Sequence, residues 1–198
     1  DVGMLDCQVS VLENAIARYV TSGSVPTPLG NRHPSISPFS SFTAQDGHII
    51  VGAGNDRLWT KLCNILEKPE LLTDSRFDNN SNRTAHVKEL TGILNEVFSK
   101  KTIAEWMTVL EEAELPCAPI NTVDKIVNDP QIKAREMIVE VEHPVAGHLK
   151  MAGLPIKMSA TPGAVERPAP LLGQHTAELL KEILGWDEAK TAKFFAEE

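Results

Sequence analysis

Apolar residues recur at helical spacing along several parts of the chain. Residues 4–20 carry one apolar side chain on nearly every turn of a helix. The same criterion predicts a helix over 56–67, one over about 83–99, and a third that begins after Thr102. Thr102 and Glu105 have the spacing of a capping box, which marks the start of that third helix. The stripe of the first helix consists of Leu5, Val9, Leu12, Ile16 and Val20.

Short apolar runs that are interrupted by turn residues predict β-hairpins. Residues 36–51 contain an Asp-Gly turn signal at 46–47, followed by a β-branched run. A second hairpin is predicted over 137–158, with its turn near 145–147. The apolar segment 115–120, which contains two prolines, predicts one further short strand.

Caps and linkers complete this pattern. Asn55 is placed to cap the helix that follows it, and Asn121 to cap another, brief helix. Residues 159–173 are rich in proline and predict an extended connector, followed by helices over about 175–184 and 187–196. The predicted fold class is α+β, because the strands are too few and too dispersed for a complete doubly wound sheet.

The composition excludes several classes of function. With 19 basic and 27 acidic residues the net charge is −8, which argues against nucleic-acid or anionic-membrane partners. No apolar run approaches the ~18 residues of a spanning helix. The three cysteines are far apart and odd in number, so they predict neither a disulfide framework nor a metal site. The N-terminus has no signal-peptide pattern and begins abruptly in an amphipathic element, from which we expect a chain cut out of a longer one.

Familiar catalytic motifs are not found in the sequence. There is no nucleophile elbow, P-loop, zinc-protease or Cys-x-x-Cys pattern. The "GAGN" stretch at 52–55 lacks the third glycine of a dinucleotide fingerprint and is more typical of a strand-to-helix turn. Residue chemistry alone therefore predicts an α+β domain with a loop rich in glycine and proline ahead of its first hairpin.

Several stretches, taken together and in order, resemble the family III CoA-transferases, the group that contains formyl-CoA transferase and the carnitine and bile-acid CoA-transferases. These stretches are "DVGMLD", "GNRHPSISPFSSF", "DGHIIVGAGND" with Trp59, "DSRF" with Arg83, "LPCAPI", "DPQI", "PIKMS" and "RPAPLLGQHT". The resemblance extends over nearly the whole chain but covers only the C-terminal half of such an enzyme.

The resemblance implies an architecture. Members of the family have a Rossmann-like large domain, a small α+β domain and a C-terminal segment that returns to the large domain, and two protomers interlock as a homodimer. In that frame residues 1–29 end the large domain and form a linker. Residues 30–127 form the small domain of helices and hairpins. Residues 128–198 are the return linker and the C-terminal helices of the large domain, most of which is missing here.

The resemblance also implies a reaction. An aspartate carboxylate attacks an acyl-CoA thioester to form a mixed anhydride, and CoA then passes to a second carboxylic acid through an enzyme-bound thioester. That aspartate is expected upstream of Asp1, so we assign no catalytic residue to this chain. We expect the isolated chain to be inactive and to bind CoA weakly or not at all. Coenzyme A thioester is a substrate, and no permanent cofactor or metal is expected. The expected location is the cytoplasm, or the mitochondrial matrix in a eukaryote.

A substrate loop is the one site that the resemblance places within the chain. It comprises Gly30, Asn31, Arg32, His33 and Ser35. The formyl-CoA branch has a run of glycines here that closes over the acyl group, and this chain does not. Arg32 and His33 are suited to the carboxylate of a dicarboxylic acyl group, to which Ser35 could donate, as expected of members acting on succinyl- or glutaryl-type thioesters. The equally weighted alternative is a turn into the hairpin with solvated side chains.

Two other functions remain open at this point. One is an acyl-CoA racemase or isomerase of the same superfamily, which uses an upstream His/Asp pair to move a proton. The other is a stand-alone, non-catalytic assembly module. The sequence that precedes Asp1 in the gene would distinguish all three.

Overall fold

The chain forms two compact units in a computed structural model that describes residues 1–196. The first unit extends from Asp1 to Ile120, and the second begins at Asn121. The helices of the first unit are α1 (Met4–Val11), α2 (Glu13–Ser22), α3 (Asp56–Ile65), α4 (Asn80–Ala85), α5 (Val87–Phe98) and α6 (Ile103–Glu112), with a 3₁₀ helix over Pro69–Leu72. Its strands are β1 (Phe39–Ala44), β2 (Gly47–Gly52) and β3 (Cys117–Pro119).

The second unit contains short helices and one hairpin. Its elements are α7 (Val123–Ile126), α8 (Pro130–Ala134), β4 (Ile138–His143), β5 (Gly147–Ala152), α9 (Thr176–Leu184) and α10 (Glu188–Ala196). The predicted connector over 159–173 has no helix or strand. The α+β class is therefore confirmed. The assignment of 1–29, 30–127 and 128–198 to parts of a two-domain enzyme stays a prediction.

All strand pairs in the described residues are antiparallel. The first unit has a three-stranded sheet in the order β1-β2-β3, and the second has the β4-β5 ribbon. In the first hairpin Ala44 lies opposite Gly47, so the loop consists of residues 45–46, one position earlier than the predicted turn. The segment 36–38, which was predicted to begin the hairpin, lies outside it, because β1 begins only at Phe39.

The core of the first unit lies between its sheet and helices α3, α5 and α6. Phe98 stacks on Phe42 with ring centroids 5.1 Å apart, and it meets Trp106 edge-on at 4.9 Å. The indole Nε1–H of Trp106 donates to the carbonyl of Phe98 at 2.7 Å, so this buried polar group is satisfied. Other core side chains include Ile49, Val51, Trp59, Leu62, Cys63, Phe77, Leu90, Leu94 and Leu110.

Two predicted helix starts are confirmed by their caps. The Asn55 side chain accepts from the N–H of Leu58 at 2.9 Å. Thr102 and Glu105 form a reciprocal capping box, in which Glu105 accepts from the Thr102 N–H at 2.8 Å and the Thr102 hydroxyl accepts from the Glu105 N–H at 3.3 Å. These are local interactions, which is why the sequence was sufficient to predict them.

Two predicted helices are each divided. The helix over 4–20 breaks at Leu12, whose N–H donates to Val9 three residues back and tightens the chain into a turn. The helix predicted over about 83–99 is α4 followed by α5, with a break at His86. The side chain of Asn79 caps α4, so that helix begins ahead of the predicted start.

The predicted cap at Asn121 is wrong. Thr122 occupies the N-cap position of α7, which begins one residue later than that cap would allow and ends at Ile126. A separate helix, α8, then begins at Pro130. Proline at the first helical position is favourable, and the Asp129 side chain accepts from the N–H of Ile132 at 3.0 Å.

The β4-β5 ribbon carries a histidine between two carboxylates. Nδ1 of His148 lies 2.7 Å from Glu142, and Nε2 lies 3.4 Å from Glu140. The hydrogen bond to Glu142, with the added charge of Glu140, raises the pKa of His148 above its ordinary value of 6.5. Protonated His148 therefore stabilises the fold at pH values below the pKa of the imidazole in the unfolded chain. This contribution is lost as the pH rises through the pKa of His148 in the folded chain.

Glu142→Gln should lower the pKa of His148 back toward 6.5, because it removes the carboxylate that contributes most to stabilising the protonated imidazole. An NMR titration of the imidazole C2 proton measures this directly. Glu166→Gln, an exposed change elsewhere in the same unit, serves as the control. An unchanged titration midpoint in Glu142→Gln would show that the ion pair is absent in solution.

Candidate functional site

The loop of residues 30–38, the 30–38 loop, turns back along the start of β1. Gly30 opens it with φ at +70°, a left-handed conformation that L side chains adopt at a cost. A Cβ added there would meet nothing within 4 Å, so the conformation rather than the space favours glycine. Further on, the N–H of His33 donates to the carbonyl of Phe39 at 2.9 Å, which fixes the reversal.

Two of the predicted loop residues are tied to β1. The hydroxyl of Ser40 donates to Oδ1 of Asn31 at 3.1 Å, and Nδ2 of Asn31 bonds to the hydroxyl of Ser41. The ring of His33 is stacked on Phe39 with centroids 5.5 Å apart and planes within 2°. In addition, Nδ1 of His33 accepts from the N–H of Ser35 at 3.2 Å, so neutral His33 carries its proton on Nε2.

The other two predicted side chains are left without partners. Arg32 is half-buried, and within residues 1–196 its guanidinium makes no ion pair or hydrogen bond. Ser35 is exposed, and its hydroxyl has no hydrogen-bond partner in the same part of the chain. A half-buried guanidinium with unused donors is suited to a carboxylate ligand, which it can hold with two parallel hydrogen bonds.

Asn80 joins the 30–38 loop to α4. Its Oδ1 accepts from the N–H of Ser37 at 3.0 Å, and its Nδ2 donates to the carbonyl of Ser35 at 2.8 Å. One side-chain amide therefore binds the peptide groups on either side of Ile36, as a neighbouring strand would.

Arg83 lies beneath the loop and is fully buried. Its Nε donates to the carbonyl of Ser37 at 2.7 Å, and its other nitrogens donate to the carbonyls of Phe77 and Gly54, each at 3.1 Å. Nη2 also lies 3.3 Å from the carboxylate of Asp56. Burial lowers the pKa of Arg83, and the bond to Asp56 opposes that shift.

An open apolar cleft lies between the loop and the turn that follows β2. Its volume is about 380 Å³. It is lined by Ile36, Phe39, Gly52, Gly54, Asn55, Leu58, Asn80 and Pro116. The two segments approach closely where Gly54 faces Ile36, since a Cβ added to Gly54 would lie 1.9 Å from Cγ2 of Ile36. The "GAGN" stretch is thus a strand-to-helix turn, as predicted, and it also forms one wall of this cleft.

Sequence reasoning missed the residues that hold the loop in place. Asn80 and Arg83 contact segments 43 and 46 residues away, and no local spacing pattern indicates such contacts. The family resemblance included Arg83 but gave it no role, and Asn80 was marked only by its place between "DSRF" and Arg83.

The described residues contain no self-sufficient catalytic centre of a familiar kind. Within residues 1–196 there is no group of three His, Cys, Asp or Glu that could hold a metal ion. Over the same residues, every helix is too short or too polar to cross a lipid bilayer. Cys63 is fully buried in the core, and burial raises the pKa of its thiol to about 12, which does not suit a nucleophile.

Comparisons with known proteins agree on one family. A family model described as CoA-transferase family III matches residues 1–176. The chain is 35% identical over 188 residues to a succinyl-CoA:glutarate CoA-transferase of Homo sapiens, an alignment that covers 95% of this chain and 43% of that protein. It is 37% identical over 184 residues to an acetyl-CoA:oxalate CoA-transferase of Acetobacter aceti, covering 92% and 46%. A solved CAIB/BAIF family protein of Brucella suis superposes with a TM-score of 0.76 at 33% identity, covering 89% and 46%. The chain therefore spans less than half the length of these relatives.

Gly54→Ala should destabilise the first unit by about 1–3 kcal/mol, because the new methyl group overlaps Ile36 and forces the loop to move. Gly92→Ala is the matched control: nothing lies within 4 Å of its added Cβ, and alanine favours the helix by about 0.5–1 kcal/mol. Denaturant unfolding of both variants measures the difference. Equal stability of Gly54→Ala and the unaltered chain would contradict the close approach.

Proposed function

The chain belongs to CoA-transferase family III, and we propose that it is the C-terminal portion of an enzyme that transfers coenzyme A between carboxylic acids. The match over 176 of 198 residues supports this proposal, as do relatives that are themselves CoA-transferases. Because the chain spans under half of those relatives, we propose that the remaining polypeptide corresponds to their N-terminal half.

The proposed reaction needs a nucleophile that lies on that other polypeptide. An aspartate carboxylate attacks the thioester carbonyl of the donor, the C–S bond breaks, and CoA leaves as a thiolate. The thiolate then attacks the aspartyl carbonyl and releases the donor acid, leaving an enzyme thioester. The acceptor acid repeats the exchange in reverse order and leaves as a new CoA thioester. No cofactor or oxidant takes part, and CoA enters and leaves as substrate and product.

The 30–38 loop is proposed to contribute the acid-binding side of this site. The observation that carries the assignment is the unpaired, half-buried guanidinium of Arg32 on a loop that is otherwise tied to the sheet. We propose that Arg32 binds the distal carboxylate of a dicarboxylic acid, with His33 Nε2–H and the Ser35 hydroxyl as further donors. The relatives are named for succinyl-CoA with glutarate and for acetyl-CoA with oxalate, so dicarboxylic acids recur among their substrates.

Two rival functions are less well supported. A racemase would require relatives with that activity, whereas the relatives described above are transferases. A stand-alone module would be expected to bury its own apolar helix faces. However, α1 and α2 have no buried residue, and Leu5 is 76% exposed.

We propose that the complete protein forms a homodimer and works in the cytoplasm or, in a eukaryote, in the mitochondrial matrix. The three free cysteines are compatible with a reducing compartment.

The complete transferase should convert succinyl-CoA and glutarate into glutaryl-CoA and succinate, which liquid chromatography of the CoA esters would measure. The 198-residue chain alone should show no exchange, because the proposed nucleophile is on the other polypeptide. Exchange by this chain alone, or racemisation without exchange by the complete protein, would contradict the proposal.

Arg32→Ala in the complete transferase should lower kcat/KM for glutarate by about 10- to 100-fold, since a charge-assisted hydrogen bond contributes roughly 1.5–3 kcal/mol. The same substitution should change kcat/KM for pentanoate, which has no distal carboxylate, only slightly. His33→Ala should act in the same direction but less strongly. Arg135→Ala and His48→Ala are matched, exposed controls outside the loop. Unchanged kinetics with every acid would remove the loop from the site.

A further inference from the structure

Asn80 is placed differently from the other asparagines at the start of α4. The side chain of Asn79 caps the helix by accepting from the N–H of Asn82 at 2.9 Å. Nδ2 of Asn82 bonds within its own neighbourhood, to the carbonyl of Ser75 at 3.0 Å and the carboxylate of Asp78 at 2.9 Å. The helix start is therefore satisfied without Asn80, whose side-chain amide bonds only to the 30–38 loop among the described residues.

The two bonds from Asn80 hold the part of the loop that lines the cleft. They bracket Ile36, one hydrogen bond on each side, and Ile36 and Asn80 both line the cleft. Beneath this point Arg83 binds the Ser37 carbonyl, so the C-terminal end of the loop is also fixed. Toward the N-terminal end, residues 31 and 33 are tied to β1. Between those two anchors, Asn80 binds the backbone from outside the loop, beside the bond within the loop from the Ser35 N–H to Nδ1 of His33.

We propose that Asn80 is a positioning residue for acid selection: it touches no acid itself but sets the path of residues 34–36, which carry the Ser35 hydroxyl and the cleft-lining side chain of Ile36. This inference rests on the proposed function of the loop. If that segment relaxes, the Ser35 hydroxyl no longer meets, at a fixed distance, the distal carboxylate that Arg32 is proposed to bind, and a dicarboxylic acid loses part of its advantage over a monocarboxylic one. A displacement of about 1 Å is sufficient for such effects on a positioned group.

The test uses the complete transferase and the ratio of kcat/KM for glutarate to that for pentanoate. Asn80→Ala should lower this ratio about 10-fold, mainly by raising KM for glutarate, and should leave KM for succinyl-CoA within about 2-fold. Hydrogen exchange of the Ser37 amide should become faster in the same variant. Asn82→Ala is the control, because it removes an amide from the same helix that does not contact the loop.

Asn80→Asp provides a second variant in case Asn80→Ala folds poorly. It is isosteric and keeps an acceptor for the Ser37 N–H, but it loses the donor to Ser35, so the ratio should still fall at least 3-fold. If Asn80→Ala and Asn80→Asp, once folded, keep the ratio of Asn82→Ala, the positioning role is overturned. If the unaltered enzyme exchanges CoA but Arg32→Ala has no effect, the proposed loop function fails instead.

Discussion

The buried guanidinium of Arg83 is the constraint on which the rest of the candidate site depends. Moving a cation out of water costs several kcal/mol unless its donors are met, and here they meet three backbone carbonyls and one carboxylate. The carbonyls belong to the 30–38 loop, to the segment before α4 and to the turn before α3. The carboxylate of Asp56 is 78% exposed, so the pair is formed where water still solvates one partner. None of these three segments can therefore move away without leaving a buried donor unpaired.

The terminal helices, unlike the segments that Arg83 holds together, are not packed against a core. Among the described residues, α1, α2, α9 and α10 have no buried side chain. Short helices draw most of their stability from packing an apolar face, and these faces are open within their own units. Val20 is 75% exposed, although it lies on the apolar stripe predicted for the first helix, and Ile183 of α9 is 72% exposed. This contrast fits the proposal that the complete enzyme supplies further polypeptide, which would cover these open helix faces.

Local chemistry explains which features could be predicted from the sequence. The caps at Asn55 and Thr102 and the two hairpins depend on residues only a few positions apart, and the sequence was sufficient for them. The division of 83–99 into α4 and α5, with a break at His86, was not predicted. The roles of Asn80 and Arg83 were not predicted either, because their partners in the loop lie 43 and 46 residues away. The glycine and proline content predicted the loop, but only the family resemblance gave it a role, since no nucleophile or metal pattern marks it.

The anchoring of the 30–38 loop also bears on how the proposed acid site would select its ligand. A glycine-rich loop is flexible and must be ordered when the acyl group binds, which has an entropic cost. Here Pro34 and Pro38 restrict the backbone, Asn31 and Asn80 hold it at separate points, and Arg83 fixes its end. Most of that ordering has therefore taken place on folding. A pre-ordered loop can exclude water from a reactive anhydride without first closing, but it cannot reshape itself around a different acid. In the proposed acid site, selection should then depend on where the loop places Arg32, so the separation between the two carboxylates of an acid would decide how well it binds.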